Sequence, residues 1–94
     1  MHEHALMRDV MRKIDAVAAE QGADRVTHVT VRLGALSHFT PEHFREHFVD
    51  ASRDTIAEGA TVDAVMDADV TAARARDVVI ESVEGELVAT AEAP

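Results

Sequence analysis

Cysteine is missing altogether from this chain of 94 residues, which excludes disulfides, thiolate chemistry and any Cys-based zinc site within it. Tryptophan and tyrosine are missing too, and only three phenylalanines occur. The core must therefore be aliphatic, built from Val, Ala, Leu, Ile and Met. No apolar run approaches the roughly 18 residues a membrane span needs, and the start of the chain lacks a signal-peptide pattern. A cytoplasmic protein with no membrane insertion is the expectation. Basic residues are few, 9 against 18 acidic ones, for a net charge of −9. That balance repels phosphate backbones, so nucleic acid is not an expected partner. There is no Gly-rich phosphate loop, no G-x-S-x-G and no H-E-x-x-H, and the three serines, Ser37, Ser52 and Ser82, sit in no nucleophile elbow. Nothing points to an enzyme.

What is present reads as one small α+β domain spanning residues 1–94. A domain of this length buries roughly 60–65% of the surface its unfolded chain exposes. Residues 4–21 form an amphipathic helix in which Leu6, Val10, Ile14, Val17 and Ala18 follow a helical stripe flanked by Met7 and Met11. Gly22 stands where a left-handed C-cap is wanted. Over 25–33 the period changes to two: Val29, Val31 and Leu33 alternate with His28, Thr30 and Arg32, and Gly34 closes the strand. Thr40-Pro41-Glu42 then supplies an N-cap, a first-turn proline and a carboxylate at the positive end of the dipole. The helix so started buries Phe44, Phe48 and Ala51 and runs to about Asp54.

Beyond Glu58-Gly59, Val62, Ala64, Met66 and Ala68 alternate as a second strand, and residues 69–77 form a connecting loop. Val78–Val83, Glu84-Gly85 and Glu86–Ala91 read as a C-terminal hairpin, with Val78 and Ile80 sharing a face with Leu87, Ala89 and Ala91. The order is α-β-α-β-β. Both helices are expected on one face of a small, three- to four-stranded mixed sheet, the intervening helix allowing the first two strands to run parallel.

Histidine carries the chemical information. Met1-His2-Glu3-His4 brings a chain-start amine, the His2 imidazole and the amide nitrogens of His2 and Glu3 into one short arc. Ni(II) and Cu(II) favour square-planar or tetragonal nitrogen donors and drive amide deprotonation, whereas Zn(II) gains nothing from a plane. Taken by themselves, the three residues Met1, His2 and Glu3 are more simply a solvated helix lead-in. His43 and His47 stand four apart on a helix, the spacing at which two imidazoles can share a metal. No third ligand accompanies them, and two exposed polar residues beside the Phe44/Phe48 seam is the plainer account. His28 and His38 read as strand-surface and loop residues. Asp63, Asp67 and Asp69 make a solvated strand face or a docking surface for a basic partner.

Read in order, several pieces gain weight together. They are Met1-His2-Glu3 opening a helix, Gly22-Ala23 with Val26 starting a strand, Leu33-Gly34-x-Leu36-Ser37 ending it, Pro41-Glu42, and Ala57-Glu58-Gly59-Ala60. The ordered set resembles the HypA/HybF nickel metallochaperones of hydrogenase and urease maturation. The resemblance covers residues 1–68 and resumes at Glu84-Gly85-Glu86-Leu87, which looks like the family's final hairpin. It implies a nickel-binding domain of two helices on a three-stranded sheet. It also implies that Met1, His2 and Glu3, with His2 as the essential imidazole, hold Ni(II) transiently for delivery to a hydrogenase-type enzyme. Partners implied are a hydrogenase large subunit or maturation proteins, with a homo-oligomer left open.

His4, His43 and His47 lie outside the family's metal motif. The family's zinc domain, with its two Cys-x-x-Cys motifs, falls where this chain has only the short stretch 69–77, so no zinc is expected. Two further readings stay open: an interaction or regulatory subunit docked on a hydrogenase or its precursor without binding metal, and an unrelated α+β domain.

Overall fold

The computed structural model describes residues 2–69, 71 and 75–86, with side chains described from Ala5 on. Two helices and three strands follow in the order α1 (His2–Gln21), β1 (Arg25–Leu33), α2 (Pro41–Ser52), β2 (Thr61–Met66) and β3 (Val78–Glu86). The strands form one mixed sheet in the order β2-β1-β3, with β2 parallel and β3 antiparallel to the central β1. The parallel pairing expected from the intervening helix is present.

Helix α1 stops because Gly22 turns left-handed, at φ +71°. Its N–H donates to the Ala19 carbonyl at 3.1 Å and the next N–H, of Ala23, to Ala18 at 2.9 Å. This is the double bond pattern of a Schellman cap, in which a Cβ would be strained. At the start of α2 the Thr40 hydroxyl accepts from the His43 N–H at 3.1 Å, and Pro41 fills the first turn. The helix ends at Ser52, two residues short of the expected boundary. Arg53 is already extended (ψ 131°) and Asp54 is left-handed at φ +66°. Thr55 then ties the turn down, its hydroxyl donating to the Ser52 carbonyl at 2.7 Å and accepting from the Ala57 N–H at 3.1 Å.

Helix α1 packs on β3 and α2, and α2 packs on β2. The layer between helices and sheet holds Met7, Val10, Met11, Ile14 and Ala18 from α1 and Phe44 and Phe48 from α2. Facing them are Val26, Val29, Val31, Leu33, Val62, Val78 and Val83 from the sheet. The buried α1 stripe runs through Met7, Val10, Met11, Ile14 and Ala18, while Leu6 and Val17 are only partly buried. Phe39 also enters the core, with His38 held left-handed at φ +68° so that Phe39 turns inward just before the Thr40 cap.

Strict alternation fails in three places. In β1 a bulge between Val26 and His28 puts Val26 and Val29 on the same side. In β3 a second register shift, Thr30 opposite Ser82 but Val31 opposite Ile80, lets Val78 and Val83 both face the core despite their odd spacing. In β2 only Val62 is fully buried, Met66 is 44% exposed, and Ala68 lies beyond the strand. Among the described residues β2 is an edge strand, with a neighbour on one side only.

The expected hairpin break at Glu84-Gly85 is corrected by the structure. Val78–Glu86 is one continuous strand, with Glu84 and Gly85 paired to His28 and Val26. Gly85 is needed for close approach rather than for a turn: a Cβ there would meet Ala23 Cβ and the Arg25 carbonyl oxygen at 2.7 Å each. Leu87, Ala89 and Ala91, assigned to the hairpin's second arm, lie outside the described residues. The described part of 69–77 is non-strand and is clipped to the β1–α2 connection, the Leu36 N–H donating to Ala75 and the Gly34 N–H to Asp77. Among the described residues no helix is long and apolar enough to cross a membrane.

Candidate metal centre

The first candidate is the start of α1. Met1 lies outside the described residues, and the side chains of His2, Glu3 and His4 are likewise outside the description. The backbone nevertheless bears on the expected nitrogen arc. Helix α1 begins at His2, so the amide nitrogens of His2 and Glu3 sit in the first turn. An N–H there has no carbonyl four residues back and is left without an intrahelical acceptor. Neither amide is needed to hold the helix together.

The second candidate is the pair on α2. His43 and His47 turn their Nε2 atoms towards each other at 2.9 Å, with ring centroids 4.5 Å apart. Two hydrogen-bonded imidazoles of this kind share one proton between their Nε2 atoms, one ring donating and the other accepting. The buried Phe39 ring stands 5.7 Å from the His43 ring and 6.1 Å from the His47 ring. Phe39 also stands nearly perpendicular to the buried Phe44 ring, at 5.7 Å, which anchors it in the core. Both imidazoles are half-buried as a result. They are not the freely solvated polar residues that spacing alone favours. The i, i+4 spacing was the available signal, but the packing of Phe39 was not visible in it.

His47 also lies at the rim of a groove between the two helices, whose walls include Met7, Met11, Asp15, Asp50 and Ala51. Asp50 is turned to Arg53, which donates to its carboxylate at 3.1 Å. Among the described residues no three His, Asp or Glu side chains converge as a preformed metal cluster.

The remaining histidines and acids have local partners. On the helix-free face of the sheet, His28 Nε2 lies 2.7 Å from Asp63 Oδ2, a contact between β1 and β2. Four residues further along β1 the Arg32 guanidinium donates to Glu81 of β3 at 2.8 Å, which pushes the arginine pKa up. The run Asp63, Asp67 and Asp69 is broken into local contacts. Asp67 accepts from the Asp69 N–H at 3.0 Å, and Asp69 accepts from the Thr71 hydroxyl at 2.6 Å and its N–H at 2.9 Å. The Thr71 hydroxyl, and after it the Thr71 N–H, hold the Asp69 carboxyl below the usual carboxylate range.

Comparison with known proteins places these features in a family. The family described as hydrogenase/urease nickel incorporation metallochaperone HypA matches residues 1–75. The hydrogenase maturation factor HypA of Methylocella silvestris is 41% identical over 63 residues, 67% of this chain and 56% of that protein. HypA of Archaeoglobus fulgidus is 40% identical over 63 residues, 67% of this chain and 57% of its own length. HypA 1 of Bradyrhizobium diazoefficiens is 37% identical over 65 residues, with 69% and 58% covered. The matched part of the chain thus spans little more than half of these relatives. The fold is also that of the solution structure of the Ni metallochaperone HypA from Helicobacter pylori. That superposition has a TM-score of 0.75 at 13% identity and covers 90% of this chain and 97% of that one.

Proposed function

The chain belongs to the HypA family, and from that premise we propose that it is a nickel-handling accessory protein in the maturation of a hydrogenase-type enzyme. The observation that carries this reading is the family match over residues 1–75, which includes Met1-His2-Glu3 and the whole of α1. In this account Ni(II) is cargo. The Met1 amine, the amide nitrogens of His2 and Glu3, and the His2 imidazole hold it in a plane of four nitrogens, and Glu3 supplies the second amide. The chain makes and breaks no covalent bond in its cargo, so no catalysis is assigned.

Selectivity comes from geometry. A d⁸ ion gains from four nitrogens in a plane and can displace amide protons, while Zn(II) prefers a tetrahedron and does neither. The amine and the imidazole must be in their neutral forms and the two amides must give up their protons, so the same ligand set makes release easy when the pH falls. Transfer then requires a client able to offer competing ligands. A hydrogenase large subunit or another maturation protein is the partner that the relatives' names support. The whole chain, 1–94, serves as the nickel-binding domain, with the short 69–77 segment in place of a zinc domain, so zinc is not part of this reading.

Calorimetric titration of untagged protein with Ni(II) tests it. Loss of the tightest equivalent in His2→Ala, and again when residues are added before Met1, is the expected result, whatever weaker uptake remains elsewhere on the chain. Equal affinity in the native and His2→Ala proteins would end the proposal.

A further inference from the structure

We propose that His43 and His47 form a second site for a divalent ion with nitrogen preference, Ni(II) among them, separate from the N-terminal segment. Three observations converge on the pair. First, the two Nε2 atoms point at one another across 2.9 Å. With metal–nitrogen bonds of about 2.0–2.1 Å, two donors at a right angle stand about 2.9 Å apart, against about 3.4 Å at the tetrahedral angle. The spacing fits two adjacent corners of a square or octahedron, which suits Ni(II) or Cu(II) better than tetrahedral Zn(II).

Second, the rings are pre-set. Both come from one turn of α2, whose start is pinned by the Thr40 cap on the His43 N–H, and both contact the buried Phe39 ring, His43 tilted to it by 48° and His47 nearly perpendicular at 83°. Ligands already held in place lose little rotamer freedom on binding. Third, both rings are only half-buried, and His47 borders the groove between α1 and α2. An ion can therefore enter, and water or a donor from another molecule can complete its coordination.

In the free protein one ring donates its Nε2 proton to the other. On binding, that proton relocates to the donor ring's own Nδ1 through solvent, and a rotation of each ring about its Cβ–Cγ bond, within the same turn of α2, swings both Nε2 lone pairs from each other to the metal. With two protein ligands the site is an open one, suited to brief residence rather than storage.

The assignment stands independently of the N-terminal reading, and the test separates the two. Untagged His2→Ala protein, which lacks the essential imidazole of the first site, is titrated with Ni(II) by calorimetry. One equivalent should still bind, and the ring NMR signals of His43 and His47 alone among the histidines should shift or broaden. The double variant His2→Ala/His47→Gln should take up none. Retained uptake in that double variant, or no uptake by His2→Ala itself, overturns the proposal. Should His47→Gln disturb α2, the NMR readout on His2→Ala decides alone: unperturbed His43 and His47 rings at saturating Ni(II) refute it.

Discussion

Gly85 on β3 passes Arg25 on β1 so closely that a Cβ at Gly85 would lie 2.7 Å from the Arg25 carbonyl oxygen. The same Cβ would also meet Ala23, the residue that completes the α1 cap, at 2.7 Å. One missing side chain thus lets β3 lie against the turn that joins α1 to the sheet. Gly85→Ala must push backbone rather than a flexible side-chain tip. A loss of about 1–3 kcal/mol is expected, read as a lower urea midpoint at unchanged slope. A variant as stable as the parent would show that this approach is looser than described.

Phe44 is fully buried between α2 and the sheet, with the Phe39 ring nearly perpendicular to it at 5.7 Å. Its ring neighbours Phe39 and Phe48 are themselves buried in the core, so filling the space would vacate another part of it. Phe44→Ala should cost about 3–5 kcal/mol, a large share of the roughly 5–15 kcal/mol a small domain has. Calorimetry should show a strongly lowered or lost cooperative transition.

The Thr40 hydroxyl satisfies the His43 N–H in the first turn of α2. Thr40→Ala removes that acceptor and should cost about 0.5–2 kcal/mol, whereas Thr40→Ser should restore most of it. The second variant separates the lost hydrogen bond from lost packing. Thermal melts of the three proteins check the order.

Much of this fold could be read from the chain, because local chemistry decides it. Gly22, the Val29-Val31-Leu33 alternation and Thr40-Pro41 each impose one conformation on their own segment. The errors lie where a distant contact decides. Glu84-Gly85 has the composition of a turn, yet the glycine is there for Arg25, some sixty positions earlier in the chain. Val78 and Val83 share a face only because of a register shift against β1. The same holds at the candidate metal residues. The His43/His47 spacing is local and visible, while the Phe39 ring that braces both belongs to a loop whose inward turn rests on a left-handed His38. His2 and Glu3 were legible as a motif, and the backbone adds only that their amides fall in the first turn of α1.

Asp69 titrates below the ordinary aspartate range because the Thr71 hydroxyl and N–H bond its charged form. A depressed folded-state pKa contributes stability above the ordinary aspartate value, and that contribution is lost as the pH falls through the depressed one. Thr71→Ala removes the larger cause and leaves the N–H. The Asp69 carboxyl signal in a carbon-13 NMR titration should then move its midpoint upward, towards but not up to the free value. An unchanged midpoint would place the cause elsewhere.

The nitrogen plane proposed around His2 is tested most directly by nickel X-ray absorption. The sample is untagged protein loaded with one equivalent of Ni(II) and carrying His43→Gln and His47→Gln, so that only the chain start can bind. Four short nitrogen distances and a planar-type edge feature, both absent from the same protein with His2→Ala, are the predicted result. A six-coordinate, oxygen-rich spectrum identical in the two proteins would contradict it.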